Sequence, residues 1–507
     1  MLQLMHTFPG TTAPAEILAA VRAGRIGAFC LFNFNVSSPK QLRELTHSLM
    51  SAAAEGGQPA PIIGIDQEGG QLMAITHGAT ALPGNMALGA TRRPDLAEKA
   101  GRVLGRELLA MGVNLNFAPS VDVNSNPLNP VIGIRAFSDD PALVGALGTA
   151  LIAGLQAERV IATAKHFPGH GDTGTDTHYS VPVVSRGRDQ LDVTELRPFR
   201  DAIQSGVGAI LSAHVVFTVL DDQQPATLSK KIMTDLLRTE MGFTGLTITD
   251  AMDMYAVSRH GLQSLRDAIS AGIDLVLLGH LPNQFDLMDA LDMKASAESD
   301  VRILNARRAL PRDLPSLSDV GCAEHQAIAQ QIADAAVTAV RASDQLPLQP
   351  GSDQSLLLIV PELVDLTPAD TSSGVELSLA DALRQRGMQI TTFELPHEAQ
   401  ANHVAEAVAL ADSADLVIVG TIAADRHKMQ AELVNALIDL GHRPIVIAMR
   451  TPFDIVAFPR VETYLCTYGV RAPNLEAAAR VLFGEIQATG VLPCAIPGMA
   501  LPNQVTL

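Results

Sequence analysis

The chain is 507 residues long, 47% hydrophobic and 18% charged, with a formal net charge of −18. That length exceeds what one hydrophobic core supports and the composition is that of a compact soluble protein, so two domains are expected. The negative balance argues against nucleic acid or an anionic membrane as a main partner, and no apolar run reaches the roughly 18 residues needed to cross a bilayer.

The four cysteines, Cys30, Cys322, Cys466 and Cys494, are scattered without CxxC spacing. Neither a disulfide framework nor a zinc ribbon is expected, and reduced thiols in the cytoplasm are the simpler reading. The opening MLQLMHTFPGTTAPAEI lacks the basic-then-apolar pattern of a signal peptide. A cytoplasmic location is expected, with export open should the true start lie upstream.

Over the first 340 residues short apolar runs alternate with longer helical patterns. The runs are QLMHTF, IGAFCLFN, PIIGID, NLNFAPSVD, VIATAKH, GAILSAH, LTITD and IDLVLLG, with amphipathic stretches such as 95–111 and 141–156 between them. Eight β runs separated by helices predict a parallel sheet closed into a (β/α)8 barrel over 1–340. Asn33, Asp66, Asp122, Lys165 with His166, His214 and Asp250 each fall at or just after the end of a run. Barrel active sites are assembled from those ends, so six runs converge on one mouth.

From about 341 the pattern restarts with SLLLIVP, QITTFEL, DLVIVGT, PIVIAMR and ETYLCTY, separated by helical segments at 377–386, 398–412, 429–441 and 473–483. This predicts a smaller three-layer αβα domain with a parallel sheet over 341–507. Helical sequence around 323–340 and the polar stretch 342–353 form the expected connection. Neither GxGxxG after a first strand nor GxxxxGK[ST] occurs, so no nucleotide-binding fingerprint is present.

The segment 165–182, KHFPGHGDTGTDTHYSVP, gathers His, Asp and Lys among Gly and Pro. So many polar side chains make poor core, and the Gly and Pro residues exclude a regular helix, so the segment reads as a loop carrying chemistry. His166, His170, Asp172, Asp176 and His178 are metal-ligand types, but HxxxHxD does not match HExxH, and one loop rarely completes a cage. In acid–base use, Asp176 and His178 lie two apart and share a face in extended chain. The carboxylate then orients one imidazole nitrogen and leaves the other to move a proton. The plain alternative is a surface pair worth about 0.2–1 kcal/mol.

Lys165 and His166 are good donors to sugar or phosphate oxygens, and Lys165 can also neutralise Asp66 or Asp122 inside the barrel. Asp250, closing the seventh run, suits an ionised carboxylate able to attack an anomeric carbon, with a helix N-cap as its plain alternative. Asp253 reads as a solvent-side or capping residue.

KHFPGHGDTGTDTH resembles the signature of family 3 glycoside hydrolases, in the β-N-acetylglucosaminidase branch. The resemblance continues through DQEGG (66–70), PGNMALGA (83–90), FAPSVDVNSNPLNPVIGIRAF (117–137), ILSAHVVF (210–217), PATLSKKIM (225–233) and GFTGLTITDAMDM (242–254), and into RTPFDIVAFP (450–459), YLCTYG (464–469) and GVLPCAIPG (490–498). It implies a two-domain enzyme that removes terminal β-linked GlcNAc from peptidoglycan fragments or chito-oligosaccharides with retention of configuration. Asp250 aligns with the nucleophile and His178 with the acid/base, oriented by Asp176. Asp66, Arg135, Lys165 and His166 match donor-sugar contacts, and His214 is expected to join them in holding substrate.

The expected partner is a small amino-sugar substrate, without nucleic acid or membrane, and no step calls for a metal or organic cofactor. Alternatives are a β-N-acetylglucosaminide or β-glucoside phosphorylase, a family 3 glycosidase of altered sugar specificity, a metal-dependent hydrolase, and a non-catalytic sugar-binding protein. One departure stands out: the family commonly has an Arg a few residues after DQEGG, where this chain has Ala74, and His77 is a candidate replacement. The second domain is expected to be structural or to narrow the acceptor side.

Overall fold

A computed structural model describes residues 2–291, 296–351 and 354–499. Eight strands make the first sheet: β1 (Leu4–Met5), β2 (Ala28–Leu31), β3 (Ile62–Ile65), β4 (Leu115–Asn116), β5 (Ile161–Phe167), β6 (Ala209–Ser212), β7 (Leu246–Thr249) and β8 (Val276–Leu277). Strands β2 through β7 pair in parallel in chain order, and β1 pairs in parallel with β8. Parallel bridges His6–Phe29 and Ile248–Leu275 join these two sets into a closed ring. All eight expected runs are strands, and the barrel they predicted is present.

Alternation along each short strand sorts the side chains into two sets. Met5, Cys30, Ile62, Leu115, Leu211 and Ile248 belong to one buried cluster that fills the barrel. Their neighbours Leu4, Phe29, Ile63 and Ile210 pack outward with the surrounding helices. The helices Pro94–Ala110 and Pro141–Ala157 both begin with proline, which suits a first turn because its missing N–H would have no partner there. They approach closely at Gly101 and Gly154: a Cβ on Gly154 would lie 2.1 Å from the Glu98 carbonyl oxygen.

The second sheet contains β9 (Thr338–Arg341), β10 (Ser355–Pro361), β11 (Gln389–Leu395), β12 (Leu416–Thr421), β13 (Ile445–Ala448) and β14 (Thr463–Cys466). Its order is β11-β10-β12-β13-β14-β9, parallel except for β9, which runs antiparallel to β14. Helices lie at Leu379–Arg384, Ala401–Ala411, Lys428–Asp439 and Ala472–Leu482. Strand β9 differs from expectation. The helix around 323–340 ends at Ala336, and Thr338–Arg341 joins the second sheet. TAVR is too short for period to separate helix from strand, and sheet pairing decides it.

Candidate active site

Asp250 follows β7 at the floor of a cavity of about 380 Å³ in the barrel mouth. Its Oδ1 accepts the Ala251 N–H at 2.8 Å. No helix starts directly after it; the next begins at Tyr255, so Asp250 is not a helix cap. Burial disfavours its charge, but the imidazoles of His166 and His214, the Ala251 N–H and Lys165 outweigh burial and hold its pKa below the usual carboxylate value. The group is therefore ionised at neutral pH.

The loop after β5 brings His178 to the same cavity. Its Nδ1 lies 2.6 Å from Asp176 Oδ1, which also accepts the His178 backbone N–H at 2.9 Å. With Nδ1 committed, Nε2 is the nitrogen left for proton transfer. Burial lowers the His178 pKa, but the hydrogen bond to Asp176, its charge and that of Asp250 outweigh it, so the net shift is upward. Asp176 moves the opposite way: burial raises its pKa, and its bonds to His178 bring the net value below the usual range.

The loop has its own supports. Asn129 Nδ2 donates to the carbonyls of His170 at 2.8 Å and Gly171 at 3.2 Å, and Arg186 pairs with Asp172 at 2.7 Å and Glu195 at 2.8 Å. Asp122 accepts from the backbone N–H groups of His166 and His170, and its Oδ2 lies 2.6 Å from His166 Nδ1. Burial opposes its charge, yet these histidines hold its carboxyl well below the ordinary range. Asp122 is buried behind His166, so it orients that ring from below the cavity wall.

Opposite Asp250, the side chains of Asp66, Arg135, Lys165 and His166 line the cavity. A regular strand would turn Lys165 and His166 to opposite faces. Here the ladder to β6 shifts register between Ala164 and Phe167, and both residues reach the cavity. Lys165 Nζ contacts Asp66 Oδ1 at 2.6 Å and Glu68 Oε1 at 2.7 Å, while Arg135 pairs with Glu68 at 2.7 Å. Burial penalises the Glu68 charge, but Arg135 and Lys165 bring its pKa down to about 2. The neutralising role read for Lys165 is therefore present beside its place on the wall, with Glu68 as a second anion.

Several expectations need correction. His214 is not on the cavity wall: it is fully buried, with Nδ1 2.8 Å from Thr227 Oγ1 and Nε2 3.0 Å from the Ala251 carbonyl. It braces the segment carrying Asp250 through the Ala251 carbonyl. His77 is exposed and outside the cavity, so it does not replace the missing Arg. Asp253 is partly exposed but is not a helix cap; it lines the cavity and holds His280, with Oδ2 2.9 Å from both its N and Nδ1.

Beside Ala74 the wall is completed by Pro368, Ala369, Asp370 and Thr371 from the loop after β10. Thr371 Oγ1 donates to the Gln71 carbonyl at 2.9 Å and accepts from Met73 N at 3.1 Å. Arg471 ties Gly70 O and Thr371 Oγ1 together at 2.7 and 3.1 Å. The second domain thus closes the side of the cavity that Ala74 leaves open. Glu68 and this loop escaped the sequence reading. Glu68 sits two residues after Asp66 in DQEGG, which was a usable signal, whereas nothing in TPADT pointed to a barrel 298–300 residues earlier in the chain.

The metal-ligand types in the loop are engaged separately: His166 with Asp122, His170 with Thr173, Asp172 with Arg186, and Asp176 with His178. Among the described residues no three His, Cys, Asp or Glu side chains are grouped to hold a metal ion. Nor, among them, is any helix long and apolar enough to cross a membrane.

The glycosyl hydrolase family 3 N-terminal domain pattern matches residues 3–306. The chain is 32% identical to β-hexosaminidase A of Pseudoalteromonas piscicida, covering 96% of this chain and 92% of that one. It is 36% identical to a β-hexosaminidase of Nitrosomonas eutropha over 60% of this chain and 88% of the relative. Its structure is similar to that of a family 3 β-N-acetylglucosaminidase from Paenibacillus sp. str. FPU-7, with a TM-score of 0.92, 34% identity and 98% of both chains covered. The matched region contains the strand ends that carry Asp66, Lys165, the His178 loop and Asp250, and the chain is a glycoside hydrolase belonging to family 3.

Proposed function

We propose that the protein is a retaining exo-β-N-acetylglucosaminidase that releases terminal GlcNAc through a glycosyl ester on Asp250. The observation that carries this reading is the presence, in one cavity, of an ionised carboxylate and an imidazole whose other nitrogen is fixed by Asp176. Sequence relatives that bear the name β-hexosaminidase support the sugar assignment.

In the first step the Asp250 carboxylate attacks the anomeric carbon while His178 Nε2 gives its proton to the departing oxygen. The raised pKa of His178 keeps that proton available near neutrality. Charge develops on the sugar ring in an oxocarbenium-like transition state, facing Asp250. In the second step neutral His178 takes a proton from water, whose oxygen attacks the same carbon, and the Asp250–sugar bond breaks. Asp66, Arg135, Lys165 and His166 hold the donor sugar between these two groups.

The test compares nitrophenol release from the β-GlcNAc and β-glucose glycosides in excess chelator. Strong preference for the N-acetyl sugar, undiminished by chelator, is expected. Preference for glucose would overturn the sugar assignment, and loss of activity in chelator would overturn the metal-free mechanism.

A further inference from the structure

Phe32 and Phe34 stack with ring centroids 5.4 Å apart and planes 17° from parallel. His280 packs on both, 4.7 Å from Phe32 and 5.6 Å from Phe34, and Asp253 pins its ring. Phe34 is 41% exposed, so the stack presents an aromatic face to the cavity. All three rings line the cavity that holds Asp250 and His178. They stand on the β8–β2 arc of the mouth, while Arg135, Lys165 and His166 occupy the arc near β4 and β5.

Phe34 and His280 also line a second cavity of about 630 Å³. His6 borders it, 1% exposed, with neither ring nitrogen meeting a hydrogen-bond partner, and its burial holds the imidazole neutral. Glu16 and Asp286 stand on its wall, and no Lys or Arg lines it among the described residues. A pyranose ring has an apolar C–H face that suits an aromatic surface, and its hydroxyl and acetamido groups suit an imidazole without a protein partner. The acidic wall disfavours leaving groups that carry carboxylates.

We infer that the Phe32–Phe34–His280 surface and the adjoining cavity form a binding site for the leaving side of the substrate, taking two further rings of a neutral β-linked amino-sugar chain. This rests on the proposed hydrolase reading and selects neutral chito-oligosaccharides over carboxylate-bearing peptidoglycan fragments. Phe32 meets the first ring beyond the scissile bond, and the second ring packs on Phe34 and His280, which line both cavities, and reaches His6.

The experiment measures kcat/KM on GlcNAc β-1,4-linked di- and trisaccharides and on GlcNAc–N-acetylmuramic acid, for the full chain and for Phe34→Ala and His280→Ala. The trisaccharide is expected to exceed the disaccharide by about 3- to 10-fold, the scale of one aromatic contact. Both variants should bring that ratio near one, whereas damage to folding would lower both rates and leave the ratio. The muramic acid substrate should be the slower disaccharide. A wild-type ratio near one, a ratio retained in both variants, or a preference for the acidic disaccharide overturns the subsite alone. Inactivity on all three substrates overturns the hydrolase reading and the subsite with it.

Discussion

Asp176 Oδ1 sits 2.6 Å from His178 Nδ1 and 2.9 Å from the backbone nitrogen of the same residue. One carboxylate oxygen therefore fixes both the position of the residue and the tautomer of its ring. The pair sets the pH range in which the protonated imidazole is present. His178 is raised, so its acid form persists above the ordinary histidine pKa and is lost as pH rises through the shifted value. Asp250 is lowered, so its nucleophilic form persists below the ordinary carboxylate pKa. Asp176→Asn removes the charge that opposes burial and should move the basic limb of the kcat/KM profile to lower pH. An unchanged basic limb would contradict the role given to Asp176.

His178→Ala should discriminate between leaving groups. On an unactivated disaccharide the loss should approach the ~10²–10⁴ typical of general acid catalysis. On a dinitrophenyl glycoside, whose leaving group departs without a proton, the first step should suffer far less. Equal losses on the two substrates would show that His178 does not protonate the leaving oxygen.

Arg471 spans the two domains, donating to Gly70 O and Thr371 Oγ1. Arg471→Ala leaves both acceptors without that donor and loosens the wall beside Ala74. Lost buried hydrogen bonds cost about 1–3 kcal/mol, so KM for the disaccharide should rise roughly 5-fold or more, with a smaller change in kcat. A change confined to kcat would contradict a wall-forming role for the second domain.

Asp274 tests stability apart from chemistry. It is fully buried between β7 and β8, accepting from Arg238 at 2.7 Å, Arg302 at 2.8 Å, Thr247 N at 3.0 Å and Ser299 Oγ at 2.7 Å. Asp274→Ala leaves the Arg238 and Arg302 guanidiniums without their carboxylate, and breaking such a buried pair costs about 3–5 kcal/mol. Urea unfolding of the barrel should begin at lower concentration, and an unchanged midpoint would refute the assignment.

The barrel was legible because its strands are short apolar runs closed by polar residues. Local sequence marked Asp250 and the Asp176–His178 pair as candidates but left a helix N-cap and a surface pair open; the structure puts Asp250 and His178 in one cavity. His214 misled because a polar residue at a strand end can turn behind the wall as readily as onto it; hydrogen bonds to Thr227 and Ala251 decide which. The Pro368–Thr371 wall depends on contacts far apart in the chain, and β9 depends on antiparallel pairing with the distant β14, neither of which has a local signature.

The central claim is that the sugar becomes bonded to Asp250. Incubation with a fluorinated N-acetylglucosaminyl fluoride, which forms the ester faster than water removes it, followed by peptide mass spectrometry, tests this directly. The account predicts one adduct, on the peptide carrying Asp250, and none in Asp250→Asn. An adduct on another carboxylate, or rapid turnover by Asp250→Asn on an unactivated disaccharide, would contradict it.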